Sequence, residues 1–405
     1  MDQGAETTAA PGSWAEVLWA FLRLGLTSFG GPVAHIGYFR QALVVKRRWL
    51  SEAAFADLVA LCQFLPGPAS SQVGFAIGLM RAGPLGALAA FIGFTLPSAL
   101  LMTAFALGAA SLGGAVGAGL SHGLKLVAVA VVAQALMGMA RSLTPDARRA
   151  GIAVLALVVV TLAPPAWAQI EAIAGGVLAG LALCRTTAET RPEVLAPLVP
   201  QLAGLAALGL FLALLIGAPL LAQAAGSRPL AEFAAVYRSG ALVFGGGHVV
   251  LPLLKDAVVS PGFVDPGRFL AGYGAAQAVP GPLFSFGAYL GAIMGGPQHG
   301  LAGAALGLAA LFLPGMLILL AALPFWGALR RRPAAQAAMV GANAAVVGIL
   351  AGALYDPVWT SAVLDRGDFA AAAAGFVLLT GFRAPPLVVV VLGAAFGIFR
   401  ALHHI

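Results

Sequence analysis

Apolar runs of eighteen or more residues recur along most of this chain, and each can cross a hydrocarbon core about 30 Å thick. Two architectures span such a core, helix bundles and closed barrels. A barrel would show short stretches alternating apolar and polar residues, and the sequence has none. Only 9% of the 405 residues are charged, so the exterior must face something other than water. A soluble domain carries about 25%. The fold class expected is therefore an all-α polytopic membrane protein.

A net charge of +7 would suit a nucleic-acid binder, but the basic residues lie in short clusters between apolar spans. That is the pattern that keeps loops cytoplasmic, so the partner expected is the lipid bilayer and not nucleic acid. Residues 1–13 are polar, with two acids and no base, and read as a cytoplasmic N-terminal tail and not a signal peptide. Cys62 and Cys184 fall in separate apolar segments and read as small core residues, with no disulfide or metal spacing around them. No lysine-bearing nucleotide loop is present, and no nucleophile lies close in sequence to a base. The expectation is a protein that is not an enzyme and needs no cofactor or metal.

One pattern occurs twice. Phe29-Gly30-Gly31-Pro32 is followed by Pro66-Gly67-Pro68, and Phe244-Gly245-Gly246-Gly247-His248 is followed by Pro280-Gly281-Pro282. Phe29 and Phe244 are 215 positions apart, and Pro66 and Pro280 are 214 apart. Arg23 then faces Arg238, Gly25 faces Gly240, Phe55 faces Phe269 and Gln63 faces Gln277. Gly past a helix end and Pro at the start of the next mark helix breaks. The flanking segments are near fifteen residues each, too short to cross alone. They read as re-entrant half-helices: about 14–27 and 32–45, then 52–65 and 70–80, with counterparts across 231–254 and 268–294.

Full spans are expected near 84–110, 115–140, 149–163, 167–184, 199–225, 300–328, 334–354, 369–382 and 387–400. Basic loops at Lys46–Arg48, Arg81, Arg141 with Arg148-Arg149, and Arg185 with Arg191 belong on one side. In the second half the basic excess moves to Arg330-Arg331-Arg332, so that half enters the membrane upside down. The domains expected are a first repeat at 14–184, a linker at 185–228 carrying one transmembrane helix, and a second, inverted repeat at 229–405. This puts the N-terminus inside and the C-terminus outside. Inverted repeats with broken helices near the midplane are characteristic of secondary transporters.

A helix that leaves a break offers free N–H groups and its positive dipole end to an anion. Around the breaks the substrate-binding candidates are Arg23, Gly30, Gly31, His35, Gln63, Gly67, Ser70 and Ser71 in the first unit. In the second they are Arg238, Gly246, Gly247, His248, Gln277, Gly281 and Ser285. Arg40, Asp57, His122 and Lys125 are charged or titratable groups within apolar surroundings and are candidates for a path or coupling role. No paired acidic cluster is present, which argues against a cation carrier.

The motifs Leu24-Gly25-Leu26-Thr27-Ser28-Phe29-Gly30-Gly31-Pro32, Trp49-Leu50, and Gln63 through Pro66-Gly67-Pro68 resemble the chromate ion transporter (CHR) family. So do Phe244 through Pro252 and Gln277 through Pro282, and the resemblance extends over roughly 14–400, as in bidomain members. It implies a bacterial inner-membrane protein with two antiparallel halves that exports chromate and confers resistance. A sulfate-like oxyanion is the related substrate, and a homodimer is compatible with this reading. The residues alone reach an oxyanion and leave open a sulfate or other oxyanion permease and a passive anion channel.

Overall fold

The computed structural model describes residues 12–29, 31–109, 114–163, 165–184, 198–244, 249–294, 300–329 and 331–403. Every regular element among them is helical. Among the described residues six helical stretches are long and apolar enough to cross a membrane: Ala69–Gly108, Gly114–Leu143, Gln201–Ala225, Gly300–Leu329, Pro333–Ala362 and Pro386–His403. The protein is an all-α, multi-pass membrane protein.

The chain breaks where its glycines and prolines direct. Helix α1 (Trp14–Thr27) opens at Ser13, whose Oγ accepts the Glu16 amide at 3.2 Å, so one end donor is satisfied. It stops at Ser28, and α2 (Gly31–Phe39) resumes beyond the break and runs on as a π-helical segment, Arg40–Lys46. Helix α3 (Glu52–Phe64), capped by Ser51, ends at Leu65, and α4 (Ala69–Ala109) restarts past Pro66-Gly67-Pro68. Helix α4 has two limbs: Ala82 and Gly83 are non-helical, and the chain folds back there so that Gly78 meets Gly86. Then come α5 (Gly114–Leu143), α6 (Ala147–Leu162), α7 (Pro165–Leu183) and α8 (Gln201–Ala225).

Past α8 the chain again opens with a broken helix, a π-helical segment and a second break at Pro-Gly-Pro. Helix α9 (Arg228–Ala241) leads to a break, and α10 (Val250–Leu254) follows with a π-helical segment, Lys255–Val259. Helix α11 (Pro266–Ala276), capped by Asp265, ends before Pro280-Gly281-Pro282. A short turn, Leu283–Ser285, opens α12 (Phe286–Ile293). Helices α13 (Gly300–Ala322), α14 (Trp326–Leu329), α15 (Pro333–Ala353), α16 (Thr360–Ala362), α17 (Arg366–Thr380) and α18 (Pro386–His403) complete the chain. The half-helix expected to end at Leu254 runs on, because no Gly or Pro stands between Leu254 and Pro261, and helical structure continues through Val259.

Packing interlocks the chain's two ends. Helices α6 and α7 lie against α15, whereas α17 and α18 lie against α5. The close approaches use small residues: Gly123 meets Gly393, and Gly180 meets Gly341. Without a hydrophobic drive in lipid, such backbone proximity supplies the dispersion contact between helices. Helix α1 packs on α4, and α9 packs on α8 and α13. Leu202, Leu205, Ile216, Leu220 and Leu221 of α8 point outward, as a lipid-facing helix requires. At one end of the bundle Glu16 gathers Arg81 (3.1 Å), Arg47 (3.9 Å) and the Trp49 indole N–H (3.2 Å). Both guanidiniums also lie over the Trp49 ring, at 5.3 and 5.5 Å.

Candidate functional site

The breaks meet one another. The Gly281 amide donates to the Ser28 carbonyl at 2.8 Å, and the Gly67 amide donates to the Val243 carbonyl at 2.7 Å. Each bond ties a Pro-Gly-Pro turn of one part to the Gly-rich break of the other. Both donors sit where a side chain would not: Gly67 has φ +122° and Gly281 has φ +96°, a region that costs other residues strain. A Cβ on Gly67 would stand 2.9 Å from the Gly315 Cα, and one on Gly281 would stand 3.0 Å from the Ser98 Oγ.

Around these junctions lie buried polar side chains. The His35 Nδ1 is 3.3 Å from the Ser70 Oγ, and its ring meets the edge of Phe94 at 5.2 Å. Ser28, His35, Ser70, Ser71, Gln72, Thr95, Ser98 and Ser285 are all buried. Among the described residues the Oγ of Ser28, Nε2 of His35, Oγ of Ser71, Oγ1 of Thr95, Nε2 of Gln277 and Oε1 of Gln72 are buried and make no hydrogen bond. Each such atom costs a fold about 1–3 kcal/mol, so a cluster at the helix breaks points to a polar ligand. Gln72 is turned by its own contacts: its Nε2 donates to the carbonyls of Pro66 (3.0 Å) and Gly315 (2.8 Å), leaving Oε1 as an acceptor. The other five atoms can donate, a set suited to oxygen acceptors.

The structure brings Gly67 to Val243, Gly281 to Ser28 and His35 to Ser70, and it buries Ser71 and Ser285; Gly31 opens α2 at φ +82°. Gln277 is half-buried beside Tyr273, at the end of α11. Arg23 and Gln63 are exposed on the outer faces of α1 and α3. Arg238, also exposed, lines a pocket next to the α9 break. Gly30, Gly246, Gly247 and His248 lie outside the described residues.

The four path or coupling candidates go elsewhere. Arg40 pairs with Glu52 at 2.8 Å with both side chains half exposed, a geometry worth little in stability. The Asp57 Oδ1 accepts the Trp326 indole N–H at 3.1 Å. Lys125 brings its Nζ next to Gly267 and Asp265 at the start of α11. The His122 Nε2 lies 2.7 Å from Asp368, which also takes Arg400 at 2.6 Å. Ser28, Thr95 and the side chain of Gln72 lie outside the sequence candidates. Ser28 and Gln72 adjoin the motifs, whereas Thr95 lies on the second limb of α4 next to Phe94, whose ring meets His35.

Comparison with known proteins places the chain. The family described as chromate transporter matches residues 15–226 and 230–398. The chain belongs to the chromate transporter family. A chromate transport protein of Pseudomonas aeruginosa is 30% identical over 308 residues, 73% of this chain and 70% of the relative. Another, from Cupriavidus metallidurans, is 27% identical over 409 residues, 99% of this chain and 97% of the relative. A probable chromate transport protein of Synechococcus elongatus is 26% identical, covering 82% of each. No solved structure gives a significant match. The two family matches meet near α8, so this family's sequence pattern covers both the part before that helix and the part after it.

Proposed function

We propose that this protein carries chromate out of the cytoplasm, holding the oxyanion at the meeting point of its helix breaks. The observation that carries the reading is the pair of bonds Gly281–Ser28 and Gly67–Val243, which gather breaks from both parts of the chain around orphaned neutral donors. A tetrahedral dianion presents acceptors on every side, and hydroxyl, imidazole and amide N–H groups can replace its hydration without a counter-charge. Helix starts beyond the breaks add backbone N–H groups and their dipoles. Membership of the family, with chromate transport proteins among its relatives, supplies the substrate.

The two parts are inverted repeats in this proposal. Support comes from the broken helices that open each part, from paired π-helical segments after α2 and α10, and from the reciprocal packing of α6–α7 on α15 and α17–α18 on α5. The shift of the basic loops between the two parts supports opposite insertion. The first repeat's hairpins then open inward and the second's outward, with the N-terminus cytoplasmic.

Export needs no further energy source. Each charge moved through 100 mV is worth about 2.3 kcal/mol, so a dianion leaving a negative interior gains about 4.6 kcal/mol, enough for a gradient of more than a thousandfold. Uptake of chromate into inverted membrane vesicles tests this, with an inside-positive potential imposed and sulfate as competitor. Saturable, potential-dependent accumulation that sulfate weakens only slightly is expected. Accumulation of sulfate in place of chromate would overturn the substrate, and linear, non-saturating flux would replace the carrier with a channel. Replacing His35 and Ser71 together by Ala is expected to lower uptake at least tenfold with normal insertion; unchanged uptake would remove both from the site.

A further inference from the structure

A pocket of about 320 Å³ opens beside the break after α9. Its polar lining is Arg238 and Ser239 from α9, Asp256 and Ser260 from the segment after α10, and Gln169 from α7. It is therefore built by both parts of the chain. Arg238 stands five residues before Val243, whose carbonyl holds the Gly67 amide of the centre described above.

The charges in this pocket are arranged for competition. The Gln169 Nε2 donates to the Asp256 Oδ2 at 2.6 Å and fixes the carboxylate from across the pocket. Asp256 is within electrostatic range of Lys255, Arg238 and Asp356. Lys255 is already engaged, with its Nζ 3.5 Å from Asp356. Among the described residues no hydrogen bond or ion pair holds the Arg238 guanidinium. It is thus shared at a distance between a fixed internal carboxylate and whatever anion enters the pocket.

We propose that Asp256 is the internal competitor of the oxyanion at Arg238 and sets its rate of release. The inference rests on the oxyanion reading above and adds a role to it. An anion at Arg238 lies in the field of a carboxylate that Gln169 prevents from turning away, and like charges at short range repel. Binding in the pocket is thereby kept weak. A carrier that must let its substrate go gains from this, since tight binding at the exit would lower turnover. Gln169 acts as the positioning residue, because it holds Asp256 while belonging to the other part of the chain.

The test is equilibrium binding of radiolabelled chromate to the purified full-length protein, with transport measured in vesicles alongside. Asp256→Asn keeps an acceptor for the Gln169 amide and removes the charge. It is expected to tighten chromate binding about tenfold and to lower maximal transport several-fold. Damage to the fold does not produce a gain of affinity. In an Arg238→Gln background the same substitution is expected to change binding less than twofold. Wild-type binding with no tightening in Asp256→Asn would overturn the competitor and leave the oxyanion site standing. The same tightening in the Arg238→Gln background would overturn the pairing with Arg238. Failure of the wild-type protein to bind either chromate or sulfate would overturn both readings.

Discussion

At the scale of single residues, the polar groups divide into those that hold the bundle together and those that remain unengaged at its centre. Asp368 belongs to the first kind: it is buried and accepts from His122, from Arg400 and from the Leu364 amide. Replacing it by Ala takes the acceptor from His122 and one of two carboxylates from Arg400, and hydrogen bonds to charged groups are worth about 1.5–3 kcal/mol each. A clear fall in the melting temperature of the detergent-solubilised protein is expected. Nearby Asp365, in the loop before α17, is held by Arg400 and by the Asp368 amide, which push its carboxyl down to about 2. A depressed carboxyl stabilises the fold above its unfolded value and loses that contribution as the pH falls through its folded value. Melting should therefore be insensitive to this group above about pH 4, and its contribution should be lost as the pH approaches 2. Asp365→Asn should abolish that acid dependence. None of this cluster was legible as such, because His122 and Asp368 are 246 residues apart and Arg400 lies on a third helix. Of its members only His122 reads as a candidate in the sequence, an isolated titratable group in apolar surroundings. Ser28 and Thr95 were missed for a related reason: a hydroxyl's burial depends on what folds over it.

At the scale of elements the sequence is far more informative. Gly and Pro act locally, so the breaks after Thr27, Phe64, Ala241 and Ala276 fall where the motifs lie. The spans end within a few residues of where the apolar runs stop. The π-helical segments at Arg40–Lys46 and Lys255–Val259 have no such local marker, since one residue more or less per turn leaves composition unchanged. The breaks also carry a graded prediction. Gly67→Ala forces a side chain against the Gly315 backbone, whereas Gly281→Ala meets the movable Ser98 hydroxyl. Each also incurs a left-handed strain of about 1–3 kcal/mol. Both should lower chromate uptake in vesicles, Gly67→Ala the more severely, and Ser98→Ala should partly restore Gly281→Ala while leaving Gly67→Ala unchanged.

At the scale of the whole molecule the packing is reciprocal: each end of the chain completes the other, with α7 seated on α15 and α18 seated on α5. A chain cut within 185–197 should therefore give two fragments that are each unstable alone. Co-expressed, they should co-purify and regain transport, and a fragment that is stable and active by itself would contradict this interdependence. The two bonds between the breaks carry a mechanical consequence. They are short, lie where the broken helices meet, and run from opposite parts of the chain, so together they act as a hinge pin. Parts of the protein that tilt about such a pin change their spacing most at the rims and least at the axle. In the carrier proposed above, the rims of the bundle would open in turn while the atoms that face the cargo keep their geometry.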